Sequence, residues 1–484
     1  MDWQTVRGTF QKIWGYDDFR PPQGEIVRCL LSGQDALIVL PTGGGKSICF
    51  QLPALLQTGL TLVVSPLVAL MENQVQELRD RNLPAASLHS QIPASQRKQI
   101  FKKLERQTLR LLYLSPETLL SSPVWQCLIQ PDLKINGLIL DEAHCLVQWG
   151  EVFRPAYRRL GAVRLALLQS KPSGSKMAIA AFTATADPHA RETITRCLQL
   201  KQPQPFLLSP YRKNLKLTVQ IVWTPRGRKQ KMLKFIESKR KQAGLVYVRS
   251  RSEGEELAQW FASLKYNVEA YHAGLSAEQR REIEDNWLRG KTQFVVCTSA
   301  FGMGINKPNV RWVVHFQAPQ LISEYIQEVG RGGRDGKIAE ALTLMSEPTG
   351  LLNPEDKQRN TFFAQKQEKQ YRKAQKLAQS LPDRGQIEAI SKQFPGGAIA
   401  LSLLHSAEQL EWQDPFNYRL VGKLNATSLQ RSLQHLSAKQ TQILKQMQQY
   451  LITRGCRWQF LLNAFGFAEE AIAFRCGHCD NCQK

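Results

Sequence analysis

Two short stretches of this chain combine residue types that could bind and hydrolyse a nucleoside triphosphate. The first, LIVLPTGGGKS at residues 37–47, is an apolar run followed by three glycines, a lysine and a serine. Glycines let successive backbone N–H groups cradle phosphates, and the helix that starts next adds the positive end of its dipole. Lys46 would contact the β- and γ-phosphates and Ser47 would ligate Mg²⁺, although the strict pattern has Gly where this chain has Leu40. The remaining residues expected to bind ATP are Thr42, Gly43, Gly44 and Gly45.

The second stretch, INGLILDEAH, is an apolar run that ends in two adjacent carboxylates. In a parallel sheet such a run delivers them to the edge where ligands bind. Asp141 would hold Mg²⁺, and Glu142 would orient and deprotonate the attacking water. An acidic pair alone is a weak signal, but after a phosphate-binding loop it becomes a strong one.

Two arginines in the second half of the chain could complete this chemistry. Arg331 and Arg334 stand on a glycine-rich bend after a helical stretch, in SEYIQEVGRGGRDG. A second domain can insert such arginines to stabilise charge on the phosphoryl group in transfer. The alternative is a flexible basic linker that contacts nucleic acid without adopting a fixed structure.

Four cysteines near the end of the chain have the spacing of a metal site. Cys476, Cys479 and Cys482 lie close together, and Cys456 precedes them. Four thiolates suit a closed tetrahedral Zn²⁺ site. An iron–sulfur cluster is the alternative, although a ferredoxin-like run has its fourth cysteine three residues on, before proline. His478 is a further candidate ligand. The six other cysteines are scattered, as buried free thiols of a reducing compartment would be.

The elements that must position these residues follow from the apolar pattern. Short apolar runs alternate with helix-length amphipathic stretches over residues 35–340, which predicts an α/β fold with helices on both faces of parallel sheets. A proline-rich break at 201–214 separates two sets. The predicted strands are DALIVL, TLVVSP, LRLLYLS, INGLILD and MAIAAFTAT, then AGLVYV, VEAYHA, QFVVCTS, RWVVHF and ALTLM. Beyond about residue 347 strands nearly vanish.

Composition points to a polyanionic partner. The 484 residues carry a formal net charge of +23, which favours nucleic acid or an acidic membrane face. No signal peptide precedes the first helical stretch, and no apolar run is long enough to span a bilayer. We therefore expect a soluble protein of the cytoplasm, associated with the nucleoid if its source is bacterial.

With these sites in this order, the chain resembles a superfamily 2 helicase, and the residues within its individual motifs resemble those of the RecQ family of DNA helicases. The resemblance covers about residues 5–346 and resumes at 440–484. It rests on YDDFRPPQ (16–23), SPLVALMENQ (65–74), DEAHCLVQWG (141–150), AFTATAD (181–187), AYHAGLSAEQR (270–280), AFGMGINKPNV (300–310) and QEVGRGGRDG (327–336).

The resemblance implies three domains. Two tandem RecA-like parallel-sheet domains would occupy residues 1–204 and 205–346, followed by a mostly helical zinc-binding domain at 347–484. It also implies a short form of the family, without C-terminal winged-helix and HRDC domains. The four-cysteine arrangement is similar to the zinc module of that family.

Further site residues are implied by the same resemblance. Tyr16 and Arg20 would sandwich adenine, and Gln23 would hydrogen-bond its edge. Thr183 and Thr185, at a strand end beside the nucleotide, could couple hydrolysis to domain closure.

The loop after DEAH supplies the expected DNA contacts. Trp149 and Phe153 could stack on bases, and Arg154 could contact phosphate. Where the family usually has His-Asp, this chain has Glu151 and Val152, which puts in doubt how strongly DNA binding is coupled to hydrolysis.

The expected activity is that of an ATP-dependent 3′→5′ DNA helicase that translocates on single-stranded DNA and unwinds forked or tailed duplexes in DNA repair and recombination. ATP, Mg²⁺ and Zn²⁺ would be its cofactors. The direction rests on the resemblance alone. One alternative is an RNA helicase or ribonucleoprotein remodeller of superfamily 2, and another is a nucleic-acid-binding scaffold with weak ATPase activity.

An insert at 385–423 gives a last hypothesis. Two helical stretches and a hairpin with its turn at Asp414-Pro415 outline a winged-helix-like unit. Arg419 and Lys423 would let it grip duplex DNA at the fork. The alternative is a purely structural elaboration of the zinc module.

Overall fold

The computed structural model describes residues 2–148, 154–301, 305, 307–422 and 426–483. The chain divides into two compact units. The first consists of residues 1–40, 44–208 and 370–437, and the second of residues 41–43, 209–369 and 438–484. Each unit is described by itself.

The first unit is built on a seven-stranded parallel sheet. Its strands are β1 (Ala36–Val39), β2 (Leu60–Val64), β3 (Ala85–Leu88), β4 (Leu111–Leu114), β5 (Ile135–Leu140), β6 (Ala178–Thr183) and β7 (Gln204–Leu207). Their order across the sheet is β3-β4-β2-β5-β6-β1-β7. The inner strands are mostly apolar, and nearly all of their residues are buried, as expected for strands covered by helices on both faces.

Helices cover both faces of this sheet. They are α1 (Trp3–Trp14), α2 (Gln23–Leu31), α3 (Lys46–Leu56), α4 (Val68–Asp80), α5 (Ala94–Glu105), α6 (Pro116–Leu119), α7 (Ser122–Leu128), α8 (His144–Gln148), a 3₁₀ helix (Pro155–Ala162), α9 (Val163–Gln169) and α10 (Pro188–Cys197). Alternate strand residues enter two separate cores: Leu37 packs in one, Ala36 and Ile38 in the other. This is the period-2 alternation of a pleated strand.

The second unit has a six-stranded parallel sheet. Its strands are β8 (Leu215–Val222), β9 (Gly244–Tyr247), β10 (Val268–Tyr271), β11 (Phe294–Cys297), β12 (Trp312–His315) and β13 (Ala339–Ser346), in the order β10-β11-β9-β12-β13-β8. The helices between them are α11 (Pro225–Ser238), α12 (Arg251–Ser263), α13 (Ala277–Leu288) and α14 (Ile322–Val329). Again two apolar cores form, one on each face of the sheet.

The chain after the second sheet is mostly helical. It comprises α15 (Glu355–Ala378), β14 (Arg384–Gln386), α16 (Ile387–Gln393), α17 (Gly397–Ser406), β15 (Leu410–Trp412), β16 (Asn417–Leu420), α18 (Ala426–Ile452), α19 (Arg457–Ala464) and α20 (Ala468–Ala471). The three short strands form an antiparallel sheet in the order β14-β16-β15. Residues 370–437 pack with the first unit, whereas residues 438–484 pack with the second, so a unit boundary falls inside α15 and inside α18.

The predicted fold class is confirmed: two parallel-sheet α/β regions precede a mostly helical region. The domain boundaries at 204/205 and 346/347 stay predictions. Within the described residues, no helix combines the length and the apolar character that a membrane span needs.

Candidate functional site

The glycine-rich turn lies between β1 and α3, where a phosphate-binding loop is expected. Gly43 and Gly45 have φ values of +86° and +72°, a left-handed conformation that favours glycine. A Cβ on Gly45 would also lie 2.2 Å from Nε2 of Gln23. Helix α3 starts at Lys46 without a side-chain cap, so its first N–H groups are available to an anion.

Lys46 and the two carboxylates meet at the carboxyl edge of the sheet. Nζ of Lys46 lies 3.8 Å from Oε1 of Glu142, and both side chains are mostly buried. Asp141, at the end of β5, accepts hydrogen bonds from the backbone N–H of Glu142 at 3.0 Å and from Nε2 of Gln74 at 3.3 Å. Burial and the neighbouring Glu142 carboxylate raise the pKa of Asp141 to about 6, against the opposing charge of Lys46. The predicted catalytic residues of the first half are therefore brought together.

The two carboxylates, Asp141 and Glu142, each have a side-chain partner to which the sequence analysis gave no role. His144 lies with Nδ1 3.1 Å from Oγ1 of Thr183 and 3.3 Å from Oε2 of Glu142. Gln74 supplies the hydrogen bond to Asp141. Both residues end a motif quoted above: His144 ends DEAH, and Gln74 ends SPLVALMENQ. Membership of these motifs was the sequence signal that could have identified them.

The two threonines at the end of β6 form a local turn beside the DEAH stretch. Oγ1 of Thr183 accepts a hydrogen bond from the N–H of Thr185 at 3.2 Å and lies 3.0 Å from the Thr185 carbonyl. Through His144, Thr183 is linked to the carboxylate of Glu142. The predicted role of the threonines in coupling stays a prediction, and this hydrogen-bonded link is compatible with it.

The residues predicted to bind adenine lie at the start of α2 and just before it. Gln23 is buried; its Oε1 accepts from the N–H of Arg20 and its Nε2 donates to the carbonyl of Gly44, each at 3.0 Å. Gln23 thus connects this segment to the phosphate-binding turn. Tyr16 is half-exposed beside Phe10. The adenine contacts themselves stay predictions.

Of the three predicted DNA-contacting residues, Trp149 and Phe153 lie outside the described residues, as do Glu151 and Val152. Arg154 is described, and its guanidinium is engaged within the protein. Its Nε donates to Oε1 of Glu117 at 2.9 Å, and its other nitrogens bond the same carboxylate and the carbonyl of Pro66. The Arg154 charge holds the pKa of Glu117 below its usual range although burial opposes this.

In the second unit, a buried ionic network fixes the helix that precedes Arg331 and Arg334. Glu328, near the end of α14, accepts two hydrogen bonds from Arg249 at 3.2 and 2.9 Å and lies 2.9 Å from Nε2 of His315. Burial alone would raise the pKa of Glu328, but Arg249 and His315 lower it to about 2. Arg331 is buried beside Tyr247, and Arg334 donates to the carbonyl of Ile305 at 3.0 Å.

The four predicted zinc ligands converge. The sulfur atoms of Cys456, Cys476, Cys479 and Cys482 all lie within 4.8 Å of one another. Backbone N–H groups of residues 476 and 479 donate to two of these sulfurs at 3.3 Å, as expected around thiolates. Nδ1 of His478 instead lies 2.6 Å from the carbonyl of Cys476, outside the sulfur group. This donor set fits Zn²⁺, which four thiolates bind tetrahedrally.

Comparisons with known protein families cover most of the chain. Residues 20–194 match the DEAD/DEAH box helicase family, residues 227–336 the helicase conserved C-terminal domain, and residues 423–483 the RecQ zinc-binding family. All four cysteines lie within residues 423–483, which confirms the predicted zinc-binding region. A DEAD/DEAH box helicase region implies ATP with a metal ion as cofactors.

Curated relatives extend the match to the whole chain. The ATP-dependent DNA helicase RecQ of Synechocystis is 50% identical over 485 residues, which cover 99% of this chain and 98% of the relative. The protein of the same name from Pasteurella multocida is 39% identical over 71% of this chain, but the match spans 52% of the relative. The chain thus corresponds to about half the length of that second relative.

Solved structures share the fold at low identity. Helicase Lhr of Mycobacterium smegmatis, bound to single-stranded DNA and AMP-PNP, matches 88% of this chain and 61% of its own, with a TM-score of 0.57 and 18% identity. The helicase MrfA, bound to DNA and AMPPNP, matches 75% of this chain and 53% of its own, with a TM-score of 0.59 and 19% identity. At this identity these likenesses support the fold alone.

Proposed function

This chain belongs to the RecQ family of ATP-dependent DNA helicases, and from that premise we propose that it translocates 3′→5′ on single-stranded DNA and unwinds forked or tailed duplexes. Its substrates are ATP and DNA, and Mg²⁺ is the metal ion that accompanies ATP. DNA repair and recombination are the proposed settings, in the cytoplasm and at the nucleoid of a bacterial cell.

One observation carries the hydrolytic half of this proposal: the ammonium of Lys46 and the carboxylate of Glu142 are 3.8 Å apart, next to the buried Asp141. We assign Lys46 to the β- and γ-phosphates of ATP, which would draw its charge away from Glu142. Glu142 is then free to accept the proton of the attacking water. His144, bonded to Thr183, holds the Glu142 carboxylate in place.

Asp141 and Ser47 are the residues that would hold Mg²⁺. Both are oxygen ligands of the kind that this ion prefers, and Asp141 is a carboxylate whose raised pKa a bound cation would lower. A metal ion held by these two residues would supply positive charge to the phosphoryl group in transfer.

In the second unit, Arg331 and Arg334 are the proposed source of positive charge for the transition state. The Glu328 network supports this assignment, because it fixes the last turn of α14 directly before the two arginines. Tyr16, Arg20 and Gln23 are proposed to recognise adenine, and Trp149, Phe153 and Arg154 to contact single-stranded DNA.

Among the alternatives, DNA is favoured over RNA because the relatives matched over most of this chain are DNA helicases by name. A scaffold with weak ATPase activity is disfavoured because Lys46, Asp141 and Glu142 are all present and adjacent.

The test compares Lys46→Ala and Glu142→Gln with the exposed-surface controls Lys102→Ala and Glu105→Gln on α5. We expect ATP hydrolysis stimulated by single-stranded DNA to fall at least about a hundredfold in the first pair and to persist in the controls. Strand displacement is measured on matched duplexes with 3′ or 5′ tails, made of DNA or RNA. Hydrolysis near the wild-type rate in either active-site variant contradicts the site, and unwinding confined to 5′ tails or to RNA contradicts the substrate.

A further inference from the structure

Residues 370–422 form a small module with the connectivity of a winged helix. The end of α15 is followed by β14, α16, α17, β15 and β16, and the sheet order β14-β16-β15 places the last strand in the middle. The module has its own apolar core, which includes Tyr371, Leu401 and Tyr418. We call residues 370–422 the winged-helix-like module.

The helix that would read DNA in such a module is buried. In a helix-turn-helix the second helix enters the major groove, and here that position belongs to α17. Its sequence, GAIALSLLHS, contains no lysine or arginine, and most of its residues are buried. Its one titratable residue is His405, whose pKa burial and the nearby Arg158 and Arg196 lower to about 3. A neutral, apolar helix of this kind is suited to protein packing rather than to phosphate.

What α17 contacts is the 3₁₀ helix Pro155–Ala162 of the first unit. Ala162 belongs to the same apolar core as α17. On its other side the 3₁₀ helix is pressed against the end of α10: a Cβ on Gly161 would lie 2.0 Å from the carbonyl oxygen of Cys197. The 3₁₀ helix is therefore held between α10 and the winged-helix-like module.

The hairpin turn of the module, its wing, contacts the same region. Nη1 of Arg159 donates to the carbonyl of Pro415 at 3.0 Å. The ring of Phe416 packs edge-on against Trp125 with centroids 5.1 Å apart, and it joins the core under the first sheet. Burial lowers the pKa of Arg159 to about 10. Both the second helix and the hairpin turn, which a winged helix offers to DNA, thus contact other parts of the first unit.

The 3₁₀ helix in turn contacts the ATP-hydrolysing residues through packed neighbours. Helix α8, which begins at His144, touches the 3₁₀ helix directly. His144 bonds Thr183 and lies against Glu142. A path of contacts therefore runs from the hairpin turn, where Pro415 bonds Arg159, through the 3₁₀ helix and α8 to Glu142. Such paths carry energetic coupling when their members move together.

We propose that the winged-helix-like module is a brace for the ATPase site rather than a grip on duplex DNA. Phe416, packed on Trp125, anchors the hairpin turn, and Pro415 positions the 3₁₀ helix through its hydrogen bond with Arg159. By holding this helix against α8, the module sets how strongly DNA stimulates hydrolysis by Glu142. The proposal rests on the proposed function, since DNA-stimulated hydrolysis is one of its readouts.

The test uses the full chain with Phe416→Ala, Phe416→Leu and, as a matched control, Phe394→Ala. Phe394 packs against the module's own core, away from Trp125. We expect Phe416→Ala to lower the ratio of DNA-stimulated to basal hydrolysis roughly three- to tenfold, with the basal rate nearly unchanged. Phe416→Leu should recover most of the ratio, and Phe394→Ala should keep it. An unchanged ratio, a parallel fall of both rates, or the same fall in Phe394→Ala overturns the brace.

Hydrogen–deuterium exchange without DNA supplies a second, activity-independent readout. Peptides covering residues 155–162 should exchange faster in Phe416→Ala than in wild type or Phe394→Ala. If the wild type shows no DNA-stimulated hydrolysis, the proposed function fails, while this exchange comparison still decides the brace. Equal exchange in all three proteins overturns it.

Discussion

Two small modules follow the second sheet, and they differ in the contacts that attach them to the rest of the protein. The winged-helix-like module packs on the first unit through apolar groups, chiefly α17 and Phe416. The zinc module, residues 456–483, shares an apolar core with strand β8 and helix α14 of the second unit and adds directed hydrogen bonds to β8. This difference shows which attachments a sequence reveals. A four-thiolate metal site requires cysteine at each of four positions, whereas an apolar helix can pack on its neighbour with many different compositions.

The polar attachment of the zinc module closes the edge of a sheet. The N–H of Asp480 donates to the carbonyl of Leu217 at 3.1 Å, and the N–H of Val219 donates to the Asp480 carboxylate at 3.0 Å. Nε1 of Trp458 donates to the carbonyl of Leu215 at 3.1 Å. Strand β8 is an edge strand, and its exposed backbone groups would otherwise invite pairing with another chain.

The largest expected effect is on the metal that holds the zinc module. We expect Cys479→Ser, or removal of zinc by a chelator, to unfold residues 456–483, because a structural zinc site contributes about 10–16 kcal/mol. Purified wild-type protein should contain about one zinc per chain. Metal analysis measures the zinc content and circular dichroism measures the folding, with Cys127→Ser as the control. Full zinc content and unchanged folding in Cys479→Ser would contradict the four-thiolate site, and iron with visible absorbance would favour a cluster.

A smaller effect is expected at the contact between the zinc module and β8. Nη2 of Arg457 lies 2.8 Å from Oδ2 of Asp480, and both side chains are largely buried. Asp480→Asn leaves Arg457 without its ionic partner, which we expect to cost about 3 kcal/mol of the free energy of unfolding. Urea unfolding measures this loss, and Glu469→Gln in the same module is the control. The zinc content should stay at its wild-type value; its loss would show that the ion pair supports the metal site rather than the attachment.

The central strands of both sheets and the edge strand β10 were predictable from the sequence, whereas the other edge strands were not. Strands β1, β4, β5 and β6 each fall inside a predicted apolar run, and β2 begins one residue before its run, because these strands are buried on both faces. The unpredicted strands β3, β7 and β8 are all at sheet edges. β7 contains Pro205, which only an edge strand tolerates, and β8 alternates apolar and polar residues instead of running apolar throughout.

In the candidate site, too, the sequence predicted the positions of the main residues but not the side-chain contacts that hold them. The sequence places Lys46 after strand β1 and Asp141 and Glu142 after strand β5, and parallel-sheet topology then brings them together at one edge. The hydrogen bonds that hold them were not predictable, since Gln74 and Asp141 meet only through the packing of α4 on the sheet. Likewise, the pairing of Arg154 with Glu117 joins residues from separate segments, and no local pattern indicates it.

The smallest expected effect concerns the cation that the sequence suggested for duplex DNA. Arg419 stands on the exposed face of β16, where its Nη2 lies 3.1 Å from Oε2 of Glu411 on the neighbouring strand. Lys423 lies outside the described residues. Exposed ion pairs of this kind contribute little, so we expect Arg419→Ala to change duplex affinity less than about threefold and to leave its salt dependence unchanged.

Glu411→Ala sharpens this last comparison, because it releases Arg419 from its partner without removing its charge. If the winged-helix-like module braces the first unit, both variants should bind a forked duplex like the wild type in fluorescence anisotropy titrations at several salt concentrations. If the module grips phosphate, Glu411→Ala should bind more tightly and Arg419→Ala more weakly, with a salt slope reduced by about one in the latter. That opposite pair of shifts would assign DNA contact to the exposed sheet of the module, a face that the docking of α17 and Phe416 leaves accessible.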